Sequence, residues 1–585
     1  MKENCSIQSK RLVILLHFIF LVSVVSVVVF MLIKYRRDNL EDAFFTHDAE
    51  CEYLAVISIT ESGFTRISIP WSKAYSSYHE ELLSFSSNFF TIREHRLYVS
   101  RPLTFLIISA VMYNLIGLMG LYILPAAAAI GSIIVGYKIA EYLQNPSTSD
   151  SSLLLPTVIP MLAFTTPILF YGLCYWGVSL GGYAAASAVC LSLLRQKETM
   201  RVIMAGAILA IGVSIRPELI ILAVLMIVWL WRLFGRPVAL KLTLGIVLVM
   251  SINCVSNVAV YGSLIGPHIT GNRIPFLFWI RSRLNVFYEL FMRSLGPVEV
   301  EGIAGVAVLF AFLPSRIRDV GEKWRTIALW AFVISASWVT IATFVYPDPF
   351  EGTLKNHSLL ACAPFLFLVF FFPSEEGEIV RSLRWLTVGY LLFTALFCPP
   401  QTAMAAHWGP RIFMVFMPLM GIVAFFSAIK YIDTYRGILI KIAVLLLIAL
   451  STANQIYSLK LLHFKKSQSA IFKSEIASLG TLPVITDQWT VPLDLASFYP
   501  KRALWLPKNP NEVSLILQVL KESKQHRILV LFQAGSPLDS FFKTLVEKDV
   551  LAVVAQHDIK SRVFHYKRLR ALEYRVTSSA SQSPP

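Results

Sequence analysis

The stretch "LVILLHFIFLVSVVSVVVFMLI" (12–33), followed closely by "EDAFFTHDAECEYLAV" (41–56), decides how the chain is read. The first run contains no Lys, Arg, Asp or Glu. It exceeds the roughly 20 apolar residues that a helix needs to cross a bilayer. Lys2, Lys10 and Arg11 precede it, it is too long for a signal-peptide core, and no small-residue cleavage site follows. It therefore reads as an uncleaved signal-anchor helix. The second stretch sets five carboxylates and a histidine against that membrane segment. So much ionisable chemistry at a membrane surface asks for a function.

The whole chain has the same character. Of its 585 residues, 56% are hydrophobic and 15% charged, which places it among polytopic membrane proteins. The formal net charge of +16 invites a nucleic-acid reading. The basic residues, however, sit in short clusters between apolar runs, as in the cytoplasmic loops of membrane proteins, so nucleic-acid binding is excluded. The seven cysteines show no CxxC pair and no Cys/His cluster. No zinc or iron–sulfur motif is present, and a divalent metal stays open without a clear motif. Cys51 and Cys398 are expected on the outer side, as two lone thiols rather than a pair.

Apolar runs near 12–33, 120–142, 152–173, 176–194, 202–218, 219–234, 239–261, 300–314, 326–346, 357–373, 384–400, 411–430 and 437–457 predict about thirteen crossings. The basic loops "RQKETMR" (195–201), "WRLFGRPVALK" (231–241), "SRIRDVGEKWR" (315–325), "RSLR" (381–384) and "KYIDTYRGILIK" (430–441) belong on the cytoplasmic side. This sets the N-terminus in the cytoplasm and the C-terminus outside, although "KYRRDN" (34–39) is a basic flank on the outer side. The scheme needs one crossing between Arg101 and Glu141, so the 102–118 run is expected to lie along or dip into the outer interface. The fold expected is an α-helical polytopic membrane domain over 1–460, with outer loops 34–101 and 262–299. After Tyr457, "LPVITD", "RALWLP", "RILVLF" and "LAVVAQ" alternate with the amphipathic "NEVSLILQVLKESKQ". That pattern predicts a small extracytoplasmic α/β domain over 461–570, then a disordered tail over 571–585.

Three outer segments carry candidate chemistry. In "DAECEYLAVISI", helical spacing aligns Ala49, Tyr53, Val56 and Ile57, and sets Asp48 and Glu52 on one face. A short interfacial helix would then aim Asp48 into a cavity. The alternative is a solvated acidic face, or an acidic partner for Arg36 and Arg37. The second segment (261–297) holds Arg273, Arg281, Arg283 and Arg293 on the side expected to be poor in positive charge. Arginine clamps phosphate with a planar fork of donors, though anionic lipid headgroups offer the same chemistry. The third, "AAHWGPRIFMVFMP" (405–418), sets Arg411 beside His407 and Trp408, as a clamp or as a snorkelling arginine with an interfacial tryptophan. Arg216, at another helix end, is expected to pair with Glu218. A general base beside a phosphate clamp suits transfer of a group off a lipid phosphate. No P-loop, Rossmann fingerprint, GxSxG or HExxH stands in a supporting context.

Over most of residues 10–460 the chain resembles GT-C membrane glycosyltransferases, such as protein O-mannosyltransferases and aminoarabinose transferases. The resemblance rests on "THDAECEYLAVISITESG", "RPLTFLIISAVMYNLIGLMGLYILPAAAAIGSIIVGYKIAEYL", "TTPILFYGLCYWGVSLGGYAAASAVCL", "GAILAIGVSIRPELIIL", "YGSLIGP" and "HWGPRIFMVFMPLM", in that order. It implies inverting transfer of a sugar from a polyprenyl-phosphate donor to an acceptor hydroxyl at the extracytoplasmic face. Asp48 would take the acceptor proton. One or more of Arg273, Arg281, Arg283 and Arg411 would hold the phosphate, with Glu50, Glu52, His407 and Arg101 in support. The acceptor would be a glycan, lipid or protein. The chain departs from the family where Ala49 follows Asp48, in place of an acidic pair, and where Gly177 follows Trp176. Two other readings stand beside this one: a lipid or polysaccharide transporter or flippase, and a non-catalytic envelope assembly protein. The near charge-free spanning runs and the lack of a fixed-period repeat weigh against transport.

Overall fold

The structure, a computed structural model, describes residues 2–71, 89–144, 154–194, 198–266, 282–294, 297–311, 318–345, 358–371, 377–397, 408–434, 437–499, 501–533, 535–559 and 569–577. The chain divides into two units. The first comprises 1–34, 121–255 and 273–462, and the second 35–120, 256–272 and 463–585.

Six helices among the described residues are long and apolar enough to cross a membrane: Leu12–Arg37, Leu118–Leu143, Arg236–Tyr261, Thr326–Val345, Glu378–Phe397 and Ile438–Ser478. Shorter apolar helices cover Leu103–Ile116, Leu155–Thr165, Val178–Leu194, Thr199–Ile215 and Leu219–Phe234. The last of the six long helices is continuous past Tyr457, where the sequence changes character. Leu103–Ile116, at 14 residues, is shorter than a spanning helix requires.

Prolines explain where apolar runs break. A residue before proline is pushed out of the α region by the ring. Thr166 is extended (φ −124°, ψ 155°) before Pro167, and splits the 152–173 run into helices ending at Thr165 and starting at Ile168. Arg216 is extended before Pro217 and closes the Thr199–Ile215 helix. Ala363 (φ −152°, ψ 68°) precedes Pro364, and the 357–373 run is not one spanning helix. It becomes the short helix Leu359–Cys362 and the 3-10 segment Pro364–Phe370.

That broken segment lies in the core of the first unit. Phe332 and Phe367 rings are 4.9 Å apart, Phe291 and Phe413 5.1 Å, and Phe367 and Phe370 5.7 Å. A helix break in the interior leaves backbone groups that need partners. Gln455 Nε2 donates to the Cys362 carbonyl (2.6 Å), Arg384 Nη1 to the Val369 carbonyl (2.8 Å), and Phe365 N to Ser451 Oγ (2.9 Å). Arg384 ends "RSLR", which the sequence places in a cytoplasmic loop. It is instead fully buried, inside the Glu378–Phe397 helix.

In the second unit, strands β1 (Phe90–Arg93) and β2 (Arg96–Val99) form a hairpin with Arg93 opposite Arg96. Glu94 and His95 both have positive φ, as a two-residue turn matching strand twist requires. Beyond the long helix come β3 (Val484–Thr486), β4 (Leu504–Trp505), β5 (Arg527–Phe532), β6 (Leu551–Asp558) and β7 (Arg570–Val576). They form one sheet in the order β4-β3-β5-β7-β6. β3 runs parallel to β4 and β5, and β7 runs antiparallel to both β5 and β6. Amphipathic helices Pro510–Glu522 and Pro537–Glu547 connect the strands.

The helix His47–Glu61 begins where Thr46, extended, accepts a hydrogen bond from Ala49 N on Oγ1 (3.2 Å). Asp48 and Glu50 in its first turn favour the positive end of the helix dipole. The sequence predicts one apolar stripe, but residues 49–52, 54–56, 58 and 59 are all buried. The helix is enclosed rather than one-sided. It packs on Leu103–Ile116, β2 and the Val491–Asp494 and Ala496–Phe498 turns. Thr46→Ala is expected to cost about 1 kcal/mol through the lost cap, measurable as a lower midpoint for exposure of the buried Cys51 thiol on this helix.

Candidate functional site

The first turns of His47–Glu61 gather charge on two sides. On one side, Arg101 Nη2 donates to Asp48 Oδ1, and Arg101 Nε lies 4.0 Å from Glu52 Oε1. One guanidinium thus spans two carboxylates one helical turn apart. Arg101 is held in place: it follows β2, its N donates to the Val99 carbonyl (2.8 Å), and its carbonyl accepts from Tyr261 Oη (3.4 Å). Its guanidinium carbon lies 5.1 Å from the centre of the Phe89 ring. The Asp48 side chain keeps 15% exposure, against 4% for Glu52 and 1% for Glu50. Asp48 is the helix's solvent-reachable carboxylate of the three.

On the other side, Glu50 Oε1 meets Lys473 Nζ at 2.6 Å, and His47 Nε2 meets Asp494 Oδ1 at 3.2 Å. Burial pushes the Glu50 carboxyl up to about 7, against the pull of Lys473. Burial also works to raise the Asp494 carboxyl, but His47, Lys465 and Lys473 hold it below its ordinary value. The Cys51 thiol is pushed well up by burial, with Arg101 opposing, and is chemically quiet.

The lysines come from "KLLHFKKSQSAIFK" (460–473), in the long Ile438–Ser478 helix. Lys466 and Lys473 are seven residues apart, two turns on one face. Lys466 Nζ donates to the Ala43 carbonyl (2.6 Å) and lies 4.6 Å from the centre of the Tyr35 ring. Lys473 Nζ donates to the Asp42 carbonyl and lies 5.4 Å from the Phe44 ring centre. Lys465 faces Phe45 at 5.3 Å. These contacts fix the segment that enters His47–Glu61, and with it the start of the Asp48 turn. The sequence reading missed them. The available signal was the two-turn spacing of Lys466 and Lys473.

Arg36 and Arg37, named as alternative partners for Asp48, pair instead with Glu41 (3.9 Å) and Asp38 (3.2 Å) at exposed positions.

In the first unit, two guanidiniums face one ring. The Arg411 and Arg216 carbons lie 5.3 and 5.7 Å from the centre of Trp176, which is buried. Arg216 Nε donates to Glu218 Oε1 (2.8 Å), the predicted pair. Gly181 makes room for it: a Cβ there would stand 2.8 Å from Arg216 Cγ. Gly409, at φ +70°, turns the chain just before Arg411, and a Cβ there would stand 2.7 Å from Cys362 Sγ. Trp408 is fully buried, and its carbonyl accepts from Tyr171 Oη (2.6 Å). Arg283 is engaged elsewhere: Nη1 donates to the Leu396 (2.8 Å) and Ala395 (3.3 Å) carbonyls, at the end of the Glu378–Phe397 helix. That is the favourable place for a cation on a helix. Arg273, Arg281, His407 and Cys398 lie outside the described residues. Among the described residues, no group of three or more His, Cys, Asp and Glu is arranged to hold a metal ion.

No protein-family model matches the chain, and no curated protein matches it. Solved structures do. The chain is similar to ArnT from Cupriavidus metallidurans in the apo state, at 13% identity and a TM-score of 0.46, over 97% of this chain and 99% of that one. It is similar to the same protein bound to undecaprenyl phosphate, at 11% identity and a TM-score of 0.47, over 96% and 99%. A third is the oligosaccharyltransferase AglB from Archaeoglobus fulgidus, in complex with an inhibitory peptide and a dolichol-phosphate. It shows 11% identity and a TM-score of 0.42, over 87% of this chain and 69% of that one.

Proposed function

We propose that this protein is a membrane glycosyltransferase that moves a sugar from a polyprenyl-phosphate donor to an acceptor hydroxyl. The observation that carries the reading is the Asp48–Arg101–Glu52 arrangement. It is a solvent-reachable carboxylate on the first turn of an enclosed helix, aligned by a guanidinium that spans it and a second, buried carboxylate. The segment lies ten residues beyond the end of an apolar helix long enough to cross a bilayer.

In this reading Asp48 accepts the acceptor's hydroxyl proton. The acceptor oxygen attacks the anomeric carbon, and the carbon–oxygen bond to phosphate breaks with its electron pair leaving on the polyprenyl phosphate. A single displacement of this kind inverts the anomeric centre. The positioned carboxylate contributes as a general base. The leaving phosphate, which gains charge, needs a cation. Arg411 is proposed to hold it, with Arg216 beside the same tryptophan ring.

Arg411→Ala is expected to raise KM for the lipid donor by about ten- to a hundredfold, the scale of a lost charge-assisted hydrogen bond. The KM for acceptor should change little. A donor KM within twofold of wild type removes Arg411 from the proposed clamp.

The reading as a whole is tested with purified protein and labelled polyprenyl-phosphate sugars. Undecaprenyl phosphate is the carrier to try first. An enzyme of this kind releases free polyprenyl phosphate in step with added acceptor. A transporter or an assembly protein leaves the donor intact.

A further inference from the structure

The second unit holds a crevice of about 710 Å³ whose position follows from the sheet topology. From β3 the chain moves out to β4, then returns across β3 to β5, so the winding direction reverses between β3 and β5. Loops leaving the carboxyl ends of these parallel strands diverge there, and open a cleft where α/β folds take ligands. The crevice is lined from all three loops: Asp487, Gln488 and Trp489 after β3, Lys508 and Asn509 after β4, and Gln533 after β5.

The lining chemistry selects the ligand. Two helix N-termini open on the crevice, and such ends attract anions only while their amides are unanswered. Here one first-turn amide of each helix is capped by a side chain, and a carboxylate stands at each end. Glu512 Oε2 accepts from Lys508 N (2.8 Å), and Glu512 N donates to Asn509 Oδ1 (3.0 Å). Asp539 Oδ2 accepts from Gly535 N (3.0 Å) and Lys543 Nζ (3.1 Å), and Asp539 N donates to Ser536 Oγ (3.3 Å). Two carboxylates already sit where a phosphate would go. No glycine-rich turn follows β3, whose loop reads "DQWT" (487–490), so a nucleotide is not served. What remains is a set of side-chain amides, with the Asp487 carboxylate and the Lys508 ammonium offsetting each other in charge, beside a tryptophan with 45% exposure, a flat apolar face next to paired donors and acceptors. Sugars present that combination, a C–H face and an equatorial rim of hydroxyls.

We propose that this crevice binds a neutral oligosaccharide, with one sugar ring stacked on Trp489 and its hydroxyls bonded to Gln488, Asn509 and Gln533. Trp489 also reaches the Asp48 turn. Its ring centre is 5.8 Å from His47, and 6.3 Å from Phe89, the ring that Arg101 covers. If the transferase reading holds, the bound glycan is the acceptor, and the residue next to Asp48 touches its platform.

The test uses the full-length protein in a detergent without a sugar headgroup, applied to a glycan array. Retention of neutral oligosaccharides is expected. Trp489→Ala should weaken the strongest by at least about tenfold, and Trp489→Phe should recover most of the loss. Gln533→Ala, at an exposed position, should weaken it as well, and guards against a folding defect in the first variant. The proposal is overturned if no glycan is retained, if Trp489→Ala and Gln533→Ala bind as wild type, or if inorganic phosphate or pyrophosphate displaces the glycan. Binding should survive in Asp48→Asn. Loss of the catalytic reading alone therefore leaves glycan binding standing. Loss of glycan binding with transfer still dependent on Asp48 removes only this proposal.

Discussion

Asp48→Asn is expected to lower the rate of transfer by two to four orders of magnitude, the range of about 10²–10⁴ that a positioned general base supplies. Asparagine has the shape of aspartate and keeps an oxygen that can accept from Arg101 Nη2. It cannot take the acceptor proton. The variant therefore separates a chemical role from a structural one. If Asp48 served only as partner to Arg101, transfer would fall no more than stability does. Yield, membrane insertion and Cys51 protection should match wild type in Asp48→Asn. Full transfer activity in that variant would falsify the assignment.

Lys473→Ala is expected to destabilise the second unit by about 3–5 kcal/mol above neutral pH, the cost of stripping one partner from a buried ion pair. Lys473 and Glu50 side chains are 4% and 1% exposed, so neither can turn to water for compensation. The variant also loses the bond to the Asp42 carbonyl and the contact with the Phe44 ring. The start of the Asp48 turn then loses one of its anchors. A thiol-reactive dye on Cys51, which is buried in the folded helix, reports the change as a lower unfolding midpoint. An unchanged midpoint at pH 8 would remove the pair as an anchor.

The same pair gives the second unit a pH dependence. Burial pushes the Glu50 carboxyl up to about 7 from its ordinary 4.5. Between those values the folded chain holds a proton that the unfolded chain has released. The contribution of this group is whole below pH ~4.5 and is lost as the pH rises through about 7. Glu50→Gln, which cannot titrate, should flatten that slope, so the stability difference between variant and wild type should shift in the variant's favour from pH 5 to pH 8. The cost of Lys473→Ala should shrink toward pH 5, where Glu50 is protonated.

How much of this was legible in the chain differs by residue. The helical spacing of Asp48 and Glu52 is written in the sequence, since four residues make about one turn. The Arg216–Glu218 pair is local and was equally readable. Breaks at Thr166 and Ala363 were readable from Pro167 and Pro364, yet hydropathy alone runs straight through both, because it counts apolar side chains and ignores the missing N–H. Arg384 shows the opposite error. A charge-counting rule places it in a loop, while the orphan carbonyls of the broken Pro364–Phe370 segment draw it into the core.

By itself the sequence determined that this is a helical membrane protein, where its apolar runs lie, and which helix carries the acidic turn. Those are properties of short windows, set by hydrophobic burial and by the 3.6-residue repeat. Only the tertiary structure decided that Arg101 answers Asp48, that Lys473 answers Glu50, and that Arg216 joins Arg411 at Trp176. It alone decided that three separated loops close a crevice around Trp489. The partners stand tens to hundreds of residues apart, and a charge selects its partner by distance in space and by the water excluded between them. No window of sequence contains either.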